Sequence, residues 1–406
     1  MRLTSKLYAQ HLGWHFKKHW KVQGNRVPRD TGAKNVLASM GFQVKEASDV
    51  LKPKFERIEL NVVGALPKPI LEDENHPNWK SSVCHIFGDE NVPLEGVLQA
   101  QHLTKSLVIN GLPKELEESL KNMTISPTVD RNIQNSILSS HVFDAEQEKL
   151  PIVKIPEKPM FVFPRTYGIT HPRRNRLLLS KLIFESEKLA GKTVNSQRKI
   201  VNNADFRFTV EKNGQKIQFD LGVDTLITSR KGISGIKEMV DGEIPELFPI
   251  HETISIPRKN IYLDKDYYPV PSAIFGNPHT IFVHFSEEDV KNLHETPVTG
   301  SQFKSRNMLK AFTVAASRAR QLYGSIENLP EPIVVQSIQT DGKTFHFGFL
   351  QLNTLNLTGS EGTKNYWFQM DNMDLFRECG MRHGRPVLEG YNKDVFRVLS
   401  AFYSNC

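Results

Sequence analysis

Residues 330–357 read PEPIVVQSIQTDGKTFHFGFLQLNTLNL. Ile333, Val334, Val335 and Ile338 make the first half rich in β-branched residues, which suit a pleated, half-buried backbone. Asp341-Gly342 supplies a turn, because glycine tolerates the positive φ that a tight hairpin requires. Beyond the turn, Phe345, Phe347 and Phe349 recur at period two, which places three rings on one face of a strand. The stretch is therefore expected to be a β-hairpin whose aromatic row needs a covering layer. Residues 305–323 offer one. Met308, Phe312, Ala315, Ala319 and Leu322 fall at steps of three and four along a helical stripe, and Gly324 suits a helix terminus. A helix laid on the aromatic face of the hairpin is the expected centre of the C-terminal half. His346 alternates away from the rings and is expected at the surface on the opposite face.

Working outward, residues 206–221, FRFTVEKNGQKIQFDL, predict a second hairpin. Phe206, Phe208 and Val210 alternate, Asn213-Gly214 turns, and Ile217, Phe219 and Leu221 alternate back. Residues 279–285 predict another strand, with Ser286 capping a short helix that begins Glu287-Glu288-Asp289. Residues 242–278 are Pro-rich and irregular. After Asn392, Val395, Leu399 and Phe402 share a helical face, flanked by Phe396 and Tyr403. Upstream, residues 93–122 read as helix, break, helix. Leu94, Val97, Leu98, Leu103 and Leu107 lie in the first, Gly111-Leu112-Pro113 breaks it, and a second starts at Lys114. Asp130 is expected to cap a further helix carrying Ile133, Ile137 and Leu138. The fold class is α/β, of the α+β type: a mixed or antiparallel sheet of hairpins packed by helices, with an extended N-terminal arm.

The chain has 406 residues and a formal net charge of +7, and the distribution says more than the total. Residues 1–29 carry seven Lys or Arg and no acid. Residues 154–199 carry eleven against Glu157, Glu185 and Glu187. The rest of the chain is net acidic, so the positive charge sits in two places, as suits a polyanion partner or a targeting signal. Within the second, Thr170 and Pro172 start a helix with Leu178, Leu182 and Leu189 on one stripe and Gly191 at its end. Arg173, Arg174 and Arg176 crowd its N-terminus, where the helix dipole disfavours cations. A phosphate would reverse that balance. Lys192, Arg198 and Lys199 extend the basic stretch, and these six residues are the candidate RNA contacts.

The N-terminal 29 residues, basic, acid-free and amphipathic, fit a mitochondrial transit peptide. Trp14, Phe16 and Trp20 among Lys17, Lys18 and Lys21 also suit an RNA-binding arm. Residues 30–91 lack periodicity and read as an extended arm, 92–150 as a helical region, 151–164 as a Pro-rich linker, and 165–406 as the α+β domain. Cys84, Cys379 and Cys406 are far apart and odd in number, so no disulfide framework is expected and a reducing compartment is implied. No apolar run reaches the roughly 18 residues of a membrane span, so a soluble protein is expected.

Motif-borne chemistry is not written in the sequence. It contains no H-E-x-x-H, no Walker loop and no G-x-S-x-G elbow. Gly232-Ile233-Ser234-Gly235 falls short of a dinucleotide fingerprint. Cys84 and His85 are neighbours in sequence, a poor geometry for nucleophile and base. The fourteen histidines, His102 and His141 included, show no metal-ligand spacing. No catalytic, metal or cofactor-binding residue is assigned. A structural component of a ribonucleoprotein fits this profile; an RNA-processing enzyme of mitochondria and a protein–protein adaptor are the alternatives.

One resemblance narrows this. PEPIVVQSIQTDGKTFHFGFLQLNT followed by EGTKN is similar to the C-terminal signature of the mitochondrial large-ribosomal-subunit protein family numbered thirty-seven. HPNWKSSVCHIFGDENVPLEGVLQAQHLTKSLVINGLP and AFTVAASRARQLYG also resemble that family. The resemblance runs with gaps from about residue 76 to 403 and weakens over residues 172–237, so the arginine cluster is not carried over as a family contact. It implies a matrix protein without cofactor or enzymatic activity, bound to large-subunit rRNA and to other mitochondrial ribosomal proteins. A related mitoribosomal protein, linked by name to programmed cell death, is a candidate neighbour.

Overall fold

A computed structural model describes residues 31–45, 50, 76–77, 79, 84–152, 164–212, 214–236, 242–247, 258–259, 265–271, 274–290, 292 and 296–405. The expected transit peptide and nearly all of the Pro-rich linker lie outside these residues. The chain divides into two units, Met1–Ile70 and Leu71–Cys406. In the first, helix α1 (Ala33–Ser39) buries no side chain, and Val36, Leu37, Met40 and Phe42 are exposed.

The second unit begins with β1 (Cys84–Gly88), α2 (Val97–Thr104), β2 (Ser106–Asn110), α3 (Lys114–Asn122) and α4 (Pro127–His141). Next come the two-residue strands β3 (Glu148–Lys149) and β4 (Tyr167–Gly168), then α5 (His171–Asn195). The long hairpin β5 (Arg198–Lys212) and β6 (Gln215–Ser229) is followed by β7 (Arg258–Lys259), β8 (Asn277–His284) and α6 (Gly300–Tyr323). The chain finishes with β9 (Asn328–Thr340), β10 (Thr344–Thr354), β11 (Asn365–Gln369), β12 (Met373–Asp374), the ribbon β13 (Glu378–Arg382) and β14 (Arg385–Glu389), and α7 (Lys393–Ser404). One mixed sheet runs β2-β11-β10-β9-β8-β6-β1-β7, with β5 paired to β6 and β12 to β10. The hairpins are antiparallel, whereas β8–β9, β1–β6 and β2–β11 are parallel.

The deciding hairpin forms as its sequence requires. Gly342 has φ 96°, and Asp341 Oδ1 accepts from the N–H groups of Lys343 at 2.8 Å and Thr344 at 2.7 Å. This local capping fixes the register that sets Phe347 opposite Ile338. Helix α6 starts with a capping box, Gln302 N–H donating to Thr299 Oγ1 and Thr299 N–H to Gln302 Oε1, and stops at Gly324.

The layer over the rings is not the expected one. Phe345, Phe347 and Phe349 pack with α4, α5 and α7; the Phe347 and Phe402 ring centroids are 5.5 Å apart. Helix α6 lies on the other face, with Val335, Leu350, Leu352 and Trp367. Both faces of the sheet are therefore covered, and side chains of alternate parity enter different cores. His346 is consequently buried and not at the surface. Its Nδ1 accepts from Asn307 Nδ2 at 3.0 Å, and burial pushes it down to about 3. Gly348, between the rings, is where the Trp367 indole crosses the strand: a Cβ there would lie 2.1 Å from Trp367 Cη2.

Other expectations shift locally. Leu107, expected in a helix, lies in β2. Residues 84–88, read as arm, form β1 within the sheet. Ser126 caps α4, its side chain accepting from Val129 N–H, while Asp130 sits inside the first turn. Ser286 closes a turn and not a helix, its carbonyl accepting from Val290 N–H at 3.0 Å. Leu189 and Leu322 are partly exposed. Gly191, at φ 76°, interrupts α5 where a stop was expected, but the chain continues helically to Asn195.

Candidate nucleic-acid interface

The three arginines at the start of α5 do not act as one cluster. Arg173 grips the segment before the helix: its guanidinium binds Asp144 through Nε and, at 3.0 Å, through Nη2, while Nη1 meets Glu146 at 2.5 Å. That bidentate pair holds the Asp144 carboxyl below its usual range. Arg174 turns inward and donates to the Ile169 carbonyl at 3.4 Å; burial lowers its pKa. Arg176 is exposed and meets no partner among the described residues. The unfavourable crowding of cations at a helix N-terminus is thus relieved within the protein itself.

The other end of α5 differs. Lys192 lies roughly 27 Å along the helix from Arg174, at about 1.5 Å per residue, so the six candidates fall into two groups. Gln197 N–H donates to the Val194 carbonyl at 2.9 Å, and the chain then enters β5 directly. Arg198 pairs with Ser229 and Lys199 with Thr228 across the hairpin mouth. Arg230 N–H donates to the Gln197 carbonyl at 3.1 Å. The mouth therefore brings Lys192, Lys199, Arg230 and Lys231 to one corner, all exposed. None of these four has an ion pair among the described residues. Arg198 is set apart: its Nη2 donates to the Asn405 carbonyl at 2.5 Å and ties down the end of α7. Arg230 and Lys231 were missed in the sequence, although the Asn213-Gly214 turn carried the signal. Counting pairs outward from it sets 228–231 beside 196–199.

A cavity of about 300 Å³ opens beside β6, β8 and α6. Asp89, Asp205, Asp224 and Asp289 line it, with His171, His284, Arg306 and Lys310. Converged carboxylates are what an RNA-processing enzyme would need, so their bonding matters. Asp89 Oδ1 lies 2.5 Å from Lys310 Nζ, and Asp89 Oδ2 accepts from Gly222 N–H at 2.9 Å. Asp224 Oδ1 lies 3.2 Å from His284 Nδ1, and its Oδ2 accepts from the His284 N–H at 2.7 Å. Burial, aided by Arg306, pushes Lys310 down to about 8. These groups tie strands to helix, and among the described residues no three His, Cys, Asp or Glu are placed to hold a metal ion. Nor is any described helix long and apolar enough to cross a membrane.

Fold and site together define a three-layer α/β protein with a group of four exposed cations, none in an ion pair among the described residues, at the mouth of the β5–β6 hairpin. No protein-family model matches the chain. Curated relatives do. Large ribosomal subunit protein mL37 of Bos taurus is 28% identical over 373 residues, which is 86% of this chain and 79% of the relative. The Mus musculus protein of that name is 28% identical over 80% of this chain, and the Rattus norvegicus protein 27% over 73%. The chain is homologous to these proteins along most of its length, consistent with membership of the mL37 family.

Proposed function

We propose that the chain is a structural constituent of the large subunit of the mitochondrial ribosome. The observation that carries this reading is the likeness to proteins named large ribosomal subunit protein mL37 over 73–86% of its length. On this reading the protein resides in the mitochondrial matrix, reached through the basic segment 1–29. It holds rRNA and neighbouring ribosomal proteins in place and performs no catalysis. Its affinity for RNA comes largely from lysines and arginines that displace counter-ions from phosphates. Among the six candidates, Arg176, Lys192 and Lys199 are exposed and without a described partner, whereas Arg173 and Arg174 are engaged within the fold. The relatives' name favours this role over an RNA-processing enzyme, and two of the four cavity aspartates, Asp89 and Asp224, are held by Lys310 and His284.

Sedimentation tests it. The full chain, tagged and expressed in cells, should follow the large subunit when a mitochondrial lysate is run through a gradient. A tagged chain that stays in the light fractions while endogenous large subunits sediment normally would refute the reading.

A further inference from the structure

We infer that the corner formed by Lys192, Lys199, Arg230 and Lys231 is the surface through which this chain grips an RNA backbone; the inference rests on the ribosomal reading above. Three separate segments meet there: the end of α5, the start of β5 and the exit of β6. The hairpin register, with Lys199 opposite Thr228 and Arg230 bonded to Gln197, fixes them together. Several arginines elsewhere on the second unit are answered by acids. Arg173, Arg207, Arg377, Arg382 and Arg397 each pair with a carboxylate. At this corner four like charges stand together, and none of them is within ion-pair distance of a carboxylate among the described residues. Such an arrangement raises the energy of the free protein and lowers it against a polyanion.

The composition of the corner favours phosphate over an acidic protein. Three of the four cations are lysines, which are depleted at protein–protein interfaces but serve phosphate well as point charges. Beside them Thr193 and Ser196 are exposed; hydroxyl groups of this kind commonly accompany Lys and Arg on phosphate oxygens. The side chains sit on the rigid ends of a helix and a hairpin, so little ordering is needed on contact. Nothing in the arrangement reads base edges, and sequence-independent backbone binding is the expected mode.

The test compares the full-length, tagged chain with a variant carrying Lys192→Gln, Lys199→Gln, Arg230→Gln and Lys231→Gln. A control variant replaces four exposed cations elsewhere: Lys121, Arg131, Lys149 and Lys393. Release from isolated large subunits is followed across a salt series, and RNA contacts are mapped by ultraviolet crosslinking. Each lost phosphate contact lowers the log–log salt slope by about 0.7–0.9. Between 50 and 200 mM salt, wild type should therefore lose roughly 50- to 150-fold more affinity than the corner variant. RNA crosslinks at the corner should vanish in the corner variant and persist in the control. The four single Gln variants should each lower the slope by about one phosphate, which keeps the test valid if the quadruple variant folds poorly. An unchanged slope, or unchanged RNA crosslinks with weaker retention, would overturn the inference; the second result would assign the corner to an acidic protein. Failure of the wild-type chain to sediment with large subunits would overturn the ribosomal reading instead.

Discussion

Phe347→Ala tests the two-sided sheet. The ring is fully buried, stacked on Phe345 at 6.3 Å and meeting Phe402 edge-on at 5.5 Å. Removing it deletes a large apolar volume from a close-packed layer, which costs about 3–5 kcal/mol. That loss alone does not say which helix covers the ring. A pair of double-mutant cycles does, read by urea unfolding of the full chain. Phe347→Ala combined with Phe402→Ala should show a coupling of about 0.5–1.5 kcal/mol, the worth of an aromatic pair beyond its area. Phe347→Ala combined with Phe312→Ala should be additive within about 0.5 kcal/mol, because Phe312 belongs to the core on the opposite face with Phe208 and Phe219. If the alanine variants unfold, Phe347→Leu keeps most of the volume at a cost of about 1 kcal/mol and reports the same coupling pattern. Strong coupling to Phe312 with none to Phe402 would restore α6 as the cover of the aromatic row and refute the layering described.

Two further predictions follow from buried groups. Gly348→Ala should destabilise the protein by about 1–3 kcal/mol, because the Trp367 ring occupies the space of the new methyl group; Trp367→Leu in the same chain should recover part of the loss, and a Gly348→Ala melt matching wild type would defeat the argument. Acid should weaken the fold through three histidines that burial holds neutral: His279 and His346 are pushed down to about 3 and His141 to about 4, from an ordinary value of 6.5. The unfolded chain takes up these protons first, so their contribution is complete above pH 6.5 and drains away as the pH falls toward 3–4. Between pH 7 and 5 that is about 2 kcal/mol for each histidine; the double variant His279→Gln, His346→Gln should unfold in urea with a visibly flatter pH dependence, and parallel profiles would show that these rings do not set it.

What could be read from the sequence alone was whatever local chemistry fixes. Both hairpins were legible because Asp341-Gly342 and Asn213-Gly214 punctuate alternating runs, and α6 and α7 because their apolar stripes recur at helical spacing. What stayed hidden depended on which layer an alternating strand faces. Period two says that Phe347 and His346 part company; it does not say that the far side is buried as well. That requires knowing that β9 runs parallel to β8, a pairing 56 residues apart in sequence that no turn records. A sheet with parallel strands needs crossovers, and crossovers place helices on both faces. Asn307, Ser337 and Gln339 on the His346 side are all buried, and polar side chains inside a second core are what made that face read as surface. The basic site divides in the same way. A run of charge in sequence measures neither pairing nor separation: Arg173 is answered by Asp144, 29 residues upstream, and Arg230 reaches Lys199 only through the hairpin. The corner is a product of strand register, so a substitution that slips the β5–β6 pairing by one residue would scatter it without changing a single charge.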